Sequence, residues 1–134
     1  MAGGIEEYRK VGAHGGIQNA SPYRLVQMLM QGAADRLAAA RGCIERGEVA
    51  GKGENCSRAI RILDELRDGL DMERGGEIAA NLDRLYEYMN RRVVMGNLRD
   101  DPEAIDEVLR LLGEIRAGWD GIRDQVETTN QGVA

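Results

Sequence analysis

The sequence has few of the residue types that catalytic centres and metal sites use. It contains no phenylalanine, one histidine, one tryptophan and two cysteines in 134 residues. The single histidine, His14, cannot form a metal site alone, because such sites need several imidazole or thiolate ligands in register. Cys43 and Cys56 stand 13 residues apart, outside metal and redox spacings, which favours two small buried side chains.

Motifs for nucleophilic and phosphate chemistry are also missing. The only serines are Ser21 and Ser57, and neither has a predictable base nearby. No glycine-rich stretch leads into Gly-Lys-Ser/Thr, and no Glu-x-x-His pair of a di-iron bundle occurs. We therefore predict a protein that is not an enzyme and that needs no cofactor, metal or small-molecule substrate.

The charge and hydropathy of the chain exclude two further classes of partner. The net charge is −5 without any run of Lys or Arg, whereas duplex nucleic-acid binding needs a basic footprint. No apolar run approaches the roughly 20 residues that span a bilayer, so no membrane insertion is expected. Residues 1–17 lack the apolar core and cleavage site of a secretory signal, and the cysteine usage fits a reducing cytosol.

Leu, Ile, Met and Ala dominate the apolar residues and recur with helical periodicity. The first helix is predicted to start at Ser21, an N-cap followed by Pro22, and to stop at Gly47. The second is predicted to start near Glu48 and to run to about Met72. Both helices carry an apolar stripe at three- and four-residue steps.

Two more helices follow. The third is predicted from Glu77, directly after a Gly-Gly break, to about Met95, with Gly96 and Asn97 as its stop. The fourth begins at Asp101-Pro102, and its apolar residues then alternate in steps of three and four up to Val126. Short loops between amphipathic helices of this length are typical of a bundle.

The predicted fold class is therefore all-α, an antiparallel four-helix bundle over residues 21–126. Residues 1–20 carry five glycines and little periodicity, which predicts a flexible N-terminal arm. Residues 127–134 are predicted to form a frayed C-terminal tail.

The helices carry more apolar residues than one core stripe requires. Two explanations of this excess are equally good. One is a wide core face with scattered exposed hydrophobic residues, and the other is a surface groove that accepts the apolar side chains of a partner helix. Gly113, Ala117 and Gly121 form a smooth strip on the fourth helix, which suits a neighbouring bundle helix and an external partner equally.

Several segments resemble one known family in order and spacing. They are Ala20-Ser21-Pro22 in the first helix, Gly75-Gly76-Glu77-Ile78 with Leu85-Tyr86 and Tyr88-Met89 in the third, and Trp119 in the fourth. Over about residues 5–122 the chain resembles the flagellin-specific export chaperones, the FliS family.

This resemblance implies a chaperone of the bacterial cytosol that binds the C-terminal region of flagellin. That region is disordered when free and folds largely into helices around the chaperone. Capping it prevents premature polymerisation, and the chaperone then delivers its client to the flagellar export gate. In the family the N-terminal arm can cover part of the binding pocket.

Ten apolar residues are predicted to contact the client peptide. They are Tyr8, Leu25, Met28, Ile62, Leu66, Tyr86, Met89, Val93, Leu109 and Leu111. Leu66 and Met89 lie near the core-facing apolar stripes of their helices, so a position in the core is the alternative for both. The rival function is a helical structural or oligomerisation module, without a flagellin client, whose extra apolar surface meets its own copy.

Overall fold

The computed structural model describes the backbone of residues 21–133 and the side chains of residues 21–121, and this part is helical without strands. Its four helices are α1 (Pro22–Arg46), α2 (Val49–Asp68), α3 (Met72–Arg99) and α4 (Pro102–Val133). Each helix packs on two neighbours, since α1 and α3 both contact α2 and α4. The short connections make consecutive helices antiparallel, which confirms the predicted all-α four-helix bundle.

The local signals at both ends of α1 act as the sequence predicts. The Ser21 hydroxyl accepts a hydrogen bond from the Arg24 N–H at 3.1 Å, and Pro22 occupies the first turn. Gly47 ends the helix with φ of 69°, a left-handed conformation that glycine adopts without strain. The next helix begins directly after Glu48, which confirms its predicted start.

The predicted boundary between α2 and α3 is displaced. Helix α2 ends at Asp68, short of Met72, and Gly69 follows as its C-cap. The Asp71 carboxylate accepts a hydrogen bond from the Arg74 N–H at 2.9 Å, so a new helix starts at Met72. The predicted start at Glu77 corresponds to a kink instead, because Gly76 is non-helical at φ 51° and ψ −126°.

The predicted stop of the third helix at Gly96 and Asn97 is wrong. Helix α3 continues to Arg99, and Asp100 ends it in a left-handed conformation at φ 51°. Gly96 is buried, and a Cβ atom at this position would lie 2.8 Å from Ile105 Cδ1. The glycine therefore allows α3 and α4 to approach closely and does not end the helix.

The core is formed by apolar residues from all four helices. The buried cluster comprises Leu25, Leu29, Met30, Ala33, Leu37, Ala40, Cys56, Ala59, Leu63, Leu66, Tyr86, Met89, Val93, Ile105, Val108 and Leu112. Aliphatic side chains fill most of it, as the lack of phenylalanine predicts. Both cysteines are buried free thiols.

The two ends of the bundle differ in packing. At the closed end, where α1 and α3 finish, Lys52 Nζ lies 2.6 Å from Asp100 Oδ1 and ties α2 to α3. At the open end, where α1 and α3 begin, a groove enters the bundle.

The predicted arm at residues 1–20 lies outside the described residues. The α4 backbone is helical to Val133, and the frayed tail over 127–134 stays a prediction.

A polar link joins α3 to α4 halfway along the bundle. Tyr88 donates its hydroxyl proton to Glu107 Oε2 at 2.7 Å, and Arg92 Nε donates to Glu107 Oε1 at 2.6 Å. The pKa of Glu107 is held below its ordinary value of 4.5, mainly by the hydrogen bond from Tyr88 and then by the hydrogen bond from Arg92. The folded protein therefore favours the ionised carboxylate.

Glu107→Gln is expected to flatten the loss of stability in acid. A carboxylate with a lowered pKa contributes stability that is complete above its unfolded pKa, here 4.5, and is lost as the pH falls through the folded value. Urea unfolding at a series of pH values below about 5 measures the difference. Parallel loss of stability in wild type and variant would show that the link contributes nothing. The Asp83 carboxylate, whose pKa Arg67 also lowers, retains part of the slope in both proteins.

Candidate functional site

An apolar groove lies at the open end of the bundle and receives residues from all four helices. Its cavity volume is about 90 Å³. The lining consists of Val26, Leu29, Met30, Leu66, Gly69, Leu70, Leu82, Tyr86, Ile115 and Trp119. The antiparallel topology brings these residues together. Helices α1 and α3 begin at the same end of the bundle at which α2 ends and at which residues 115–119 of α4 lie.

The groove has a buried floor and a half-buried rim. Leu29, Met30 and Leu66 are buried with the core, whereas Leu82 and Ile115 retain exposed surface. Gly69 leaves room at the end of α2, since it carries no side chain. The rim residues pack on the core, and no other helix of the described residues covers their outer surface, which can therefore contact another chain segment.

The chemistry of the groove is that of an apolar receptor. None of its ten lining residues carries a charge at neutral pH. Tyr86 is 3% exposed, and burial raises the pKa of its phenol to about 12, so the ring stays neutral. Such a surface binds aliphatic side chains and rejects charged ones, because a charge that enters it loses its hydration without gaining a partner.

A cluster of polar and aromatic contacts fixes the rim between α1 and α4. The rings of Tyr23 and Trp119 stack with centroids 5.0 Å apart. Tyr23 donates its hydroxyl proton to the Trp119 carbonyl at 2.7 Å, and Trp119 Nε1 donates to the Tyr23 carbonyl at 3.3 Å. Gln27 Nε2 donates to Asp120 Oδ1 at 2.6 Å. The rim is therefore ordered before a ligand arrives, which reduces the entropy cost of binding.

The structure places nine of the ten predicted contact residues, and they occupy distinct environments. Leu25, Met89 and Val93 are at most 1% exposed, because they face the other helices in the buried core. We assign these three to the core and leave them out of the proposed surface. Leu66 and Tyr86 are nearly buried at 5% and 3%, and both line the groove. Tyr8 lies outside the described residues.

Two of the predicted residues are half-buried along the edge between α1 and α2. Ile62 lies two turns after Asn55, which accepts a hydrogen bond from Arg36 of α1 at 3.3 Å. Residues seven or eight apart share a helix face, so Ile62 points toward α1. Met28 lies eight residues before Arg36 and therefore points toward α2.

The remaining two are half-buried on opposite sides of α4. Leu109 follows Asp106 by three residues, and Asp106 accepts a hydrogen bond from Arg41 of α1 at 2.6 Å. Leu111 follows Glu107 by four residues, and Glu107 is bonded to α3. Leu109 thus lies along the edge with α1, and Leu111 along the edge with α3.

Of the ten residues that line the groove, sequence reasoning predicts only Leu66 and Tyr86 as contacts. Six of the other eight lie on the apolar stripes of their helices, so periodicity attributes them to the core: Val26, Leu29, Leu70, Leu82, Ile115 and Trp119. A signal for them does exist in the order of the helices. In an antiparallel bundle, residues 26, 70, 82 and 119 lie near the same end. Apolar stripe residues near that end have no further helical turn to cover them.

The described part of the chain contains no candidate membrane span and no candidate metal site. No helix there is both long enough and apolar enough to cross a membrane. No group of three or more His, Cys, Asp and Glu residues within it is arranged to hold a metal ion.

A helical bundle that presents an ordered apolar groove is typical of protein-binding modules. Comparison with known proteins specifies the class further. The family described as Flagellar protein FliS matches residues 4–126. The chain therefore belongs to the FliS family, which consists of chaperones and is not an enzyme class.

Individual relatives match over most of their length. The flagellar secretion chaperone FliSB of Pseudomonas aeruginosa (strain PAO1) is 49% identical over 118 residues, covering 88% of this chain and 94% of that protein. The flagellar secretion chaperone FliS of Salmonella typhimurium (strain LT2) is 48% identical over 119 residues, or 88% of each chain. That of Vibrio cholerae (strain N16961) is 39% identical over 122 residues.

Proposed function

We propose that this protein is a flagellar export chaperone of the bacterial cytosol that binds the disordered C-terminal region of flagellin. The bound region is prevented from polymerising, and the complex delivers flagellin to the export gate. The observation that carries the proposal is the apolar groove, an uncharged receptor with residues from all four helices in a member of the FliS family.

The arrangement of apolar surface suits a long client segment. The groove takes one apolar stretch, and the half-buried Met28, Ile62, Leu109 and Leu111 lie along the edges between helices. A chain that leaves the groove can therefore follow these edges around the bundle. Such a segment loses conformational entropy when it becomes ordered, so many dispersed apolar contacts are needed to offset the cost.

The rigid bundle also explains why the client, and not the chaperone, changes shape. The core is closely filled by aliphatic side chains, and the Tyr23–Trp119 stack holds the rim of the groove. A preordered receptor contributes no ordering cost of its own. The free energy of apolar burial is then available to fold the client.

Isothermal titration with a flagellin C-terminal peptide tests this function. We expect one-to-one binding with a large negative heat-capacity change, because apolar surface is buried as the peptide folds. Leu109→Asp should weaken the binding while the far-ultraviolet circular dichroism spectrum stays unchanged. If that spectrum collapses, Leu109 belongs to the core.

The rival oligomerisation module makes a different prediction for the same protein. Light scattering with and without flagellin distinguishes the two. A tight dimer that ignores flagellin supports the rival, whereas a monomer that forms an equimolar complex supports the chaperone.

A further inference from the structure

The outer face of α3 carries a second apolar surface, distant in sequence from the groove residues of that helix. Leu98 is 73% exposed and Val94 is 43% exposed. Met95 is half-buried, and Arg91 is exposed. We call these four residues, Arg91, Val94, Met95 and Leu98, the α3 patch.

Helix geometry places the α3 patch on one side. Its members are spaced by three, four and seven residues, so they share the solvent-facing side of α3. Met89, Val93 and Gly96 are buried and occupy the opposite side, toward the core. The patch is therefore not a part of the core that has become uncovered, and neither α2 nor α4 covers it.

The charge at this surface is positive and unmatched. Among residues 21–121, no carboxylate lies within ion-pair distance of Arg91 or Arg99, whereas Arg92 is paired with Glu107 at 2.6 Å. Glu87, one turn before Arg91, is directed instead to Arg67 of α2 at 3.7 Å. Arg91 within the patch and Arg99, which flanks it four residues after Met95, thus lack a carboxylate partner among residues 21–121 in a protein whose net charge is −5.

We propose that the α3 patch docks an amphipathic helix of a second protein whose apolar stripe is edged by Asp or Glu. Apolar residues at helical spacing would cover Val94 and Leu98, and the carboxylates would pair with the arginines. A second copy of this chain fits less well. A twofold interface brings the patch onto itself, which gathers positive charge and supplies no carboxylate.

The size of the α3 patch determines the kind of complex. One face of two helical turns is far smaller than the roughly 800 Å² that each partner contributes to a stable interface. The complex is therefore weak and transient, and its charged contacts make it sensitive to salt. Such docking is compatible with simultaneous occupation of the groove.

The test uses the full chain labelled with ¹⁵N and a synthetic helical peptide. The peptide carries Leu at positions spaced by three or four residues, edged by Glu, and the control peptide replaces each Glu by Lys. We expect the acidic peptide to shift the amide signals of residues 91–98. Raising the salt from about 0.05 to about 0.5 M should weaken its binding roughly fivefold.

Two variants of similar exposure make the test specific. Leu98→Gln should weaken binding of the acidic peptide at least about fivefold. Ile78→Gln changes a residue of the same helix that is 74% exposed and lies outside the patch, and it should leave binding unchanged. Equal binding of both peptides, or signal shifts confined to the groove, would overturn the proposal. So would self-association that disappears in Leu98→Gln, because the second copy would then be the occupant.

Discussion

Leu82→Glu is expected to weaken binding of the flagellin C-terminal peptide by roughly a hundredfold while the bundle stays folded. Leu82 is half-buried at the rim of the apolar groove, so a carboxylate there can reach solvent in the free protein. When the client covers the rim, the charge loses its hydration without gaining a partner. A cost of about 3 kcal/mol corresponds to that change in Kd.

The matched control for this variant is Val94→Glu. It introduces the same charge into the same helix, at an exposed position outside the groove lining. Calorimetry should show wild-type affinity for Val94→Glu and a large loss for Leu82→Glu, with equal helicity in both. Equal loss in the two variants would mean that added negative charge, and not the groove, determines binding.

Gly96→Leu is expected to lower the stability of the bundle by about 2–3 kcal/mol, which is the usual range of an overpacked interior. A Cβ atom at this position would lie 2.8 Å from Ile105 Cδ1 and 3.2 Å from the Asp101 carbonyl. The added side chain must therefore push α3 and α4 apart at the closed end. Thermal unfolding should show a midpoint roughly 10 °C below that of the wild type.

Gly113→Leu is the control for this second prediction. Nothing lies within 4 Å of a Cβ atom built on Gly113. The substitution therefore changes stability only through the higher helix propensity of Leu. We expect an increase in stability of about 0.5–1 kcal/mol. A bundle that tolerates Leu equally at both positions would contradict the close approach of α3 and α4.

The sequence predicts the bundle well because its helices are marked by strong local signals. Ser21 and Pro22 supply the N-cap and the proline that start a helix, and Gly47 supplies the glycine that ends it. Gly96 shows the limit of such reasoning. Glycine is used both to end a helix and to let another helix approach, and only the position of Ile105 tells the two apart.

The candidate site is harder to predict than the fold. Periodicity places Leu82 on the apolar stripe of the third helix and Leu25 outside the stripe of the first, yet Leu25 is fully buried and Leu82 lies at the rim of the groove. Their difference depends on how far each lies from the open end and on which helix covers it. Neither quantity is present in the local pattern, because both come from the packing of four helices.

Local patterns likewise underestimate polar contacts between distant segments. Tyr23 and Trp119 are 96 residues apart, and their stack determines the rim of the groove. Helical periodicity shows Trp119 only as the next apolar residue of the fourth helix. Its second role depends on the antiparallel pairing of α1 with α4.

Fluorescence of Trp119 tests the central claim most directly, since it is the only tryptophan of the chain and lines the groove. During titration with a tryptophan-free flagellin C-terminal peptide, the emission should shift to shorter wavelength and saturate at one peptide per chain, because apolar side chains replace water at the indole. Binding that saturates in calorimetry without any change in Trp119 emission would contradict the assignment of the groove as the client site.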